Sequence, residues 1–305
     1  MNIRKLLTGV VAVGFVPSLL ALLIGFLNFY FPLADSFSHF RLHLSILTAI
    51  ALLLFLILKA WRWALGGLAA TVLGIMGLGS ALPFFELKPI DGPGIRFVQF
   101  NTLFNNPKPE LSVKWIADQE PDVVALQEVS ANTMSVFNNL SQQMPSRVFC
   151  KFTTIGGVAI LSTFPKISEK CVEGAGLVWM QVDANGKSLT VASIHLHWPY
   201  PYRQWQQMEK LKTEFAAMPR PVILAGDFNA APWSEIIKRL SAETSTEPLP
   251  GLRLSLLMSA VGFGPIPILP VDHILVPLSS NAESVRTGPQ IGSDHLPIIA
   301  SIGLH

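Results

Sequence analysis

Eight polar residues, Asn101, Glu128, His195, Asp227, Asn229, Asp272, Asp294 and His295, stand at or just after the ends of short apolar runs. A carboxylate alone in such surroundings is costly to bury, so the pattern implies that these groups compensate one another at one edge of a sheet. Gathered there, oxygen donors suit a hard divalent cation such as Mg²⁺, with Mn²⁺ as the alternative; Mg²⁺ keeps several waters and takes only one or two carboxylates. Neither cysteine lies in these segments, which argues against a soft-metal centre. Asp227 and Asn229 are two apart, so in an extended segment both side chains leave the same face. An imidazole held by a carboxylate keeps one tautomer and gains basicity, as the activation of water near neutral pH requires. Taken singly, the same residues have plainer explanations: Asn229 as a turn former, Glu128 as a solvated strand end.

The segments carrying them are QFNTL (99–103), LQEV (126–129), GDFNA (226–230), VDHIL (271–275) and SDHLP (293–297). In this order and spacing they resemble the endonuclease/exonuclease/phosphatase (DNase I-like) superfamily, which includes nucleases, neutral sphingomyelinases and inositol-polyphosphate phosphatases. The resemblance implies a four-layered α/β sandwich, two mixed sheets face to face with helices outside, that cuts phosphoester bonds with Mg²⁺ or a similar ion. It implies roles as well. Glu128 is then the principal metal ligand, with Asn101 beside it and Asp294 either supporting the ligands from behind or adding a second metal contact. His295 helps activate the attacking water and Asp272 orients His295. Asp227 holds that water and the Asn229 amide donates to a phosphoryl oxygen. His195 faces the scissile phosphate, as donor or as acid for the leaving oxygen; His197, with the same strand parity, is its rival.

Apolar runs bounded by turn residues must position these groups. IRFVQFN, PDVVALQEV, GVAILST, LTVASIHLHW, PVILAGDFN and PVDHILV read as strands covered on both faces. Helix candidates at 109–119, 130–143, 202–217 and 232–241 alternate with them, giving an α/β domain over 95–305 with helices packed outside sheets. Trp198, Tyr200, Tyr202, Trp205 and Trp233 follow motif segments and form either an aromatic rim or ordinary packing. The stretch GFGPIPILP, 262–270, is apolar and irregular; it meets lipid or covers a core.

Half of the 305 residues are apolar and only 14% are charged, too apolar a balance for a chain wholly in water. The excess lies in residues 1–87, a transmembrane region joined by a linker, 88–94, rich in Pro and Gly. Uncharged runs at about 6–30, 42–58 and 63–85 read as three spans, with Tyr30, Trp61 and Trp63 at their ends and glycines in the third offering small packing faces. Arg4 and Lys5 precede the first span, and Lys59 and Arg62 lie between the second and third. The positive-inside bias then makes this an integral protein of bacterial inner-membrane type, with the catalytic domain on the periplasmic side. The weak link is 42–58, which is short and carries His43. Cys150 and Cys171 either pair outside the cytoplasm or remain two buried thiols.

Three functions compete: a phosphoesterase acting on lipid head groups or another surface substrate, a DNase I-like nuclease, and a non-catalytic membrane scaffold. Beyond residue 87 the chain holds 17 basic and 18 acidic residues, without the basic footprint of a protein that grips long nucleic acid. The expected partners are therefore a phosphoester substrate, lipid or nucleic acid, and the membrane itself. No protein partner is legible.

Overall fold

The computed structural model describes residues 3–82, 87, 89–90, 92, 94–154, 156–259 and 264–303. It opens with four helices, α1 (Ile3–Gly25), α2 (Pro32–Ser38), α3 (Arg41–Ile57) and α4 (Trp61–Met76). Phe15, Ala51, Phe55, Ala64 and Ala70 make a small core shared by α1, α3 and α4, while much of the remaining apolar surface faces outward. Gly74 permits the close approach of α4 to α3, since an added Cβ would fall 2.2 Å from Ser45 Oγ.

Among the described residues α1 alone is long and apolar enough to cross a bilayer; α2 and α3 pass the same test only as a pair bent by 58°. The third run was expected to be helical over 63–85, but α4 ends at Met76, because Gly77 and Gly79, the latter at φ +54°, turn the chain out of the helix. At 16 residues α4 spans about 24 Å, short of roughly 30 Å of hydrocarbon. Residues 83–85 of that run and 88, 91 and 93 of the linker lie outside the described residues.

The remainder alternates strands and helices: β1 (Ile95–Asn101), α5 (Pro109–Asp118), β2 (Val123–Val129), α6 (Met134–Leu140), β3 (Ser146–Thr153), β4 (Gly156–Ser162), β5 (Lys166–Val172), β6 (Leu177–Ala184), β7 (Lys187–His195) and α7 (Gln204–Ala217). It continues through β8 (Val222–Asp227), α8 (Glu235–Thr244), β9 (Thr246–Pro248), β10 (Leu256–Ser259), β11 (Pro265–Leu269), β12 (Asp272–Pro277), β13 (Asn281–Thr287) and β14 (Ile298–Gly303). Two six-stranded mixed sheets result, ordered β13-β14-β1-β2-β4-β3 and β5-β6-β7-β8-β12-β9.

Three apolar layers hold them. Phe97, Ile160, Met180, Val191, Ile223 and Ile298 fill the space between the sheets. Ile116, Val136 and Leu140 of α5 and α6 cover one outer face, and Met208, Phe215 and Ile236 of α7 and α8 cover the other. This is the four-layered α/β sandwich. The strands read from sequence are the doubly covered ones, such as β2 and β8, whose residues are nearly all buried. GFGPIPILP is not irregular throughout: Pro265–Leu269 pairs with Leu256–Ser259 in a two-stranded ribbon, while Gly262 and Phe263 fall outside the described residues. Cys150 and Cys171 are joined, which cross-links β3 and β5, the outermost strands of the two sheets.

Candidate active site

Strand register brings the polar residues together. In one sheet β7 and β8 run parallel with His195 opposite Asp227, and antiparallel β12 places Asp272 opposite Asp227 from the other side. In the other sheet β1 and β2 run parallel, so Asn101 and Glu128 finish at the same end. Gly226 is required where it stands: at φ +159°, any Cβ would fall 1.9 Å from Ile194 O, so only glycine lets β8 hug β7 one residue before Asp227. Glu128 and Asn229 hold φ of +54° and +46°, uncommon for residues with side chains and a form of backbone strain that clusters at functional sites.

A cavity of about 270 Å³ opens over this end, lined by Glu128, His195, His197, Asp227, Asn229, Asp294 and His295, with Phe104, Phe152 and Trp198 among its apolar walls. Asn101 and Asp272, both fully buried, support its floor. Asn101 Nδ2 donates to Asp227 Oδ2 (3.0 Å) and Glu128 Oε1 (3.2 Å). Asp272 Oδ2 lies 2.7 Å from His295 Nδ1, and its Oδ1 accepts from Gln99 Nε2 at 2.8 Å. Two imidazoles face Asp227 Oδ2, His195 Nε2 at 3.5 Å and His295 Nε2 at 3.7 Å. Of the two rival histidines, His195 reaches the carboxylates, whereas His197 stands against the Phe152 ring.

The electrostatics follow from burial and pairing. Burial pushes the Asp227 carboxyl up to about 6, with Asp272 adding to the rise and the two histidines opposing it. Burial by itself would lower His295, but Asp272 and Asp227 outweigh it and push the imidazole up to about 10. Burial likewise raises Asp272, yet His295 and hydrogen bonds from His295, Ser255 and Gln99 hold it below the ordinary carboxylate range. Burial lifts Asp294 above that range.

Asp227, Asp272 and His295 present ligand atoms within 4.8 Å of one another, close enough to share a cation. Since His295 and Asp272 bond each other, the carboxylates open to the cavity are those of Glu128, Asp227 and Asp294. Asn229 Nδ2 donates to Leu196 O at 2.8 Å, which uses one of its two N–H groups, and its buried Oδ1 has no partner, so the amide keeps both a donor and an open acceptor.

Sequence reasoning passed over Gln99, Gln127 and Ser193, which form a buried chain behind the site: Gln99 Nε2 to Gln127 Oε1 (2.7 Å) and Gln127 Nε2 to Ser193 Oγ (2.9 Å). Their signal was present, since an amide inside a strand-forming apolar run, as in QFN and LQEV, demands a partner.

The family model described as "Endonuclease/Exonuclease/phosphatase family" matches residues 98–295, which contain every residue of the site. The chain belongs to the endonuclease/exonuclease/phosphatase family. Family members are phosphoester hydrolases, and that coarse class is this chain's. A comparison with curated proteins gives no match. Among solved structures, the chain is similar to an endonuclease/exonuclease/phosphatase from Bacteroides vulgatus, at 16% identity and TM-score 0.56, over 70% of this chain and 100% of that one. Sphingomyelinase C from Streptomyces griseocarneus matches at 17% identity and TM-score 0.51, over 69% and 99%. A beta toxin mutant from Staphylococcus aureus, solved with bound magnesium ions, matches at 14% and 0.52, over 68% and 99%. At these identities the likeness is one of fold.

Proposed function

We propose that this chain is a membrane-anchored, Mg²⁺-dependent hydrolase that cleaves a phosphodiester or phosphomonoester by in-line attack of water, with lipid head groups or another surface-held phosphoester as substrate. The convergence of Glu128, His195, Asp227, Asp294 and His295 on one cavity supports it most.

The donor set fits a hard divalent cation. It is made of carboxylate and amide oxygens, it includes the orphaned Asn229 Oδ1, and the only two thiols are consumed in a disulfide. Glu128, Asn101 and Asp294 would hold the ion, which when bound supplies Lewis-acid polarisation of a phosphoryl oxygen. The protein's own groups divide the rest. Asp227, raised toward neutrality, is the base that takes a proton from water, and Asn229 Oδ1 orients that water. His295 is protonated at neutral pH, so we assign it as a cationic donor to the oxygens that gain charge and not as the base. His195 donates beside it, and Asp272 keeps the His295 proton in place.

Anchoring rests on the apolar helices and on the distribution of Arg4, Lys5, Lys59 and Arg62, which favours an external catalytic domain. The disulfide agrees with an oxidising compartment. A nuclease is the second reading, disfavoured by the near-neutral charge beyond residue 87. The test is a screen of the full chain in detergent on a soluble phosphodiester, phospholipid vesicles, sphingomyelin vesicles and plasmid DNA, with Mg²⁺ or EDTA. Hydrolysis of lipid above DNA, abolished by EDTA, is the expected result. EDTA-resistant turnover, or no turnover on any phosphoester, refutes the proposal.

A further inference from the structure

The helical part meets the sandwich through a buried, hydrogen-bonded joint and not only through the linker. Asp35 of α2 is fully buried, and its carboxylate accepts from Glu235 N (2.8 Å) and Ile236 N (3.4 Å) at the start of α8 and from Trp205 Nε1 (3.3 Å) at the start of α7. A negative group there meets free N–H donors and the positive end of α8. Trp233 Nε1 donates to Ser38 O at 2.6 Å and Gly251 N to Ser80 O at 2.9 Å. Leu78, Ala81, Ala231 and Trp233 close an apolar cluster between the two parts. Trp233 thus packs in this joint and belongs to no rim around the cavity.

The same end of the helical bundle faces the joint throughout. Arg41 at the start of α3 donates to Gly25 O at the end of α1 (3.1 Å) and to Gly77 O just past α4 (2.6 Å). Three helix ends are therefore level, and the direction in which the bundle leaves the sandwich is fixed.

Aromatic rings lie exposed at that level. Phe29, Tyr30 and Phe31 occupy the bend between α1 and α2, and Trp198, Tyr200 and Tyr202 are 45%, 51% and 65% exposed on the sandwich. Both border the joint, since Ser36 Oγ of α2 donates to Tyr200 O at 3.1 Å and Phe29 O accepts from Arg239 Nη2 of α8 at 3.3 Å. Trp198 lines the catalytic cavity, and only two residues of chain, at most about 7 Å, separate it from Tyr200. Amphipathic rings favour the boundary between headgroups and hydrocarbon.

We propose that residues 29–31 and 198–202 form one aromatic shelf seated in the headgroup layer of the bilayer that the helices enter, so that the cavity draws its phosphoester from a lipid of that same leaflet. The substrate half rests on the phosphoesterase reading above; the shelf half does not. Asp35 acts here as a positioning residue, holding the cavity mouth at the lipid surface.

The experiment uses the full chain in phosphatidylcholine–sphingomyelin vesicles. Cys150 and Cys171 are bonded, so Tyr202→Cys adds a thiol for a spin label, and Asn185→Cys, in the turn before β7 and about 30 Å along that strand from His195, serves as control. The label at 202 should relax with oxygen and resist a water-soluble nickel chelate, while the label at 185 does the reverse. Equal accessibility at the two sites overturns the shelf. Tyr30→Ser with Tyr202→Ser should lower hydrolysis of vesicle lipid about tenfold through KM and leave kcat on a soluble phosphodiester within twofold. Asp35→Ala should have the same split effect and expose the label at 202 to nickel, and Asp35→Asn, which keeps one acceptor, should fall between. An equal loss on both substrates overturns the positioning role. No turnover on any phosphoester removes the substrate half, while the label measurement still decides the shelf.

Discussion

The pairing of Asp272 with His295 sets a sharp expectation for Asp272→Asn. With the charge centres about 4 Å apart and an effective dielectric constant near 20, removing the carboxylate takes about 4 kcal/mol from the protonated imidazole, equivalent to about three pKa units. The His295 imidazole, now held up to about 10, would fall to about 7. The basic limb of the pH–rate profile reports this directly, because His295 has to keep its proton to stabilise the phosphoryl oxygens. Wild-type kcat on a soluble phosphodiester should stay flat to about pH 9, whereas the variant should decline from about pH 7 and be about 30-fold lower at pH 8.5. The Asn side chain can still accept from Gln99, but the same drop removes about 4 kcal/mol of stability near pH 7, so the melting temperature should fall as well. A basic limb that does not move, with the variant folded, refutes the assignment of His295 as a cationic donor.

Other expectations follow from the same geometry. Glu128→Ala, Asp227→Ala and His295→Ala should each lower kcat/KM by about 10² to 10³-fold, the first two with little loss of folding and His295→Ala with a lower melting temperature because it strands buried Asp272, and wild-type turnover in any of them contradicts the site. At limiting Mg²⁺, kcat/KM should rise with pH through about 6 as Asp227 ionises, and saturating Mg²⁺ should move that limb lower, since a cation favours the charged carboxylate; an Asp227→Asn profile with the same limb would disprove it. His273 is buried with its ring nitrogen 2.8 Å from Ala230 O, and burial takes it down to about 4 from 6.5. The unfolded chain therefore binds this proton first, and stability falls as pH drops from 6.5 toward 4, by about 2 kcal/mol at pH 5. Chemical denaturation at pH 7 and pH 5 should show that difference shrinking in His273→Gln. Reducing Cys150–Cys171, which closes a loop of sequence separation 21, should cost about 3 kcal/mol and lower the melting temperature.

What the sequence revealed tracks burial only in part, since β6, LVWMQVDA, and β14, IIASIG, are largely buried and were still missed as strands. β1, β2, β4, β7, β8 and β12 are apolar on both faces and stand out between turn residues; they are also the strands that carry or flank the site. β5, KISEKCV, exposes most of its residues, and β13, NAESVRT, is similar, so neither has an apolar run to betray it. β3 alternates buried and exposed residues and was passed over for its charges, Arg147 and Lys151. That Asn101, Glu128, Asp227, Asp272 and His295 gather at one end of the sheets was legible because polar groups closing apolar strands demand company. The orientation of the Asn229 amide and the upward shift of His295 were not, because both depend on neighbours brought in from other strands, Leu196 O in one case and Asp272 with Asp227 in the other. The joint at Asp35 was hidden for a similar reason. A lone acid between two apolar runs looks like a solvated loop, and only the tertiary fold sets it against the start of α8.

The cross-link between β3 and β5 reaches further than the sheet margin. Cys150 lies two residues before Phe152, whose ring forms part of the cavity wall and packs edge-on against His195, 5.6 Å between centroids. Both bonded strands are terminal in their sheets, where hydrogen bonding exists on one side only, so the covalent tie substitutes for the neighbour each lacks. With both cysteines reduced, that margin would be untethered two residues from Phe152. Reduction of the bond would therefore be felt in the cavity wall beside His195.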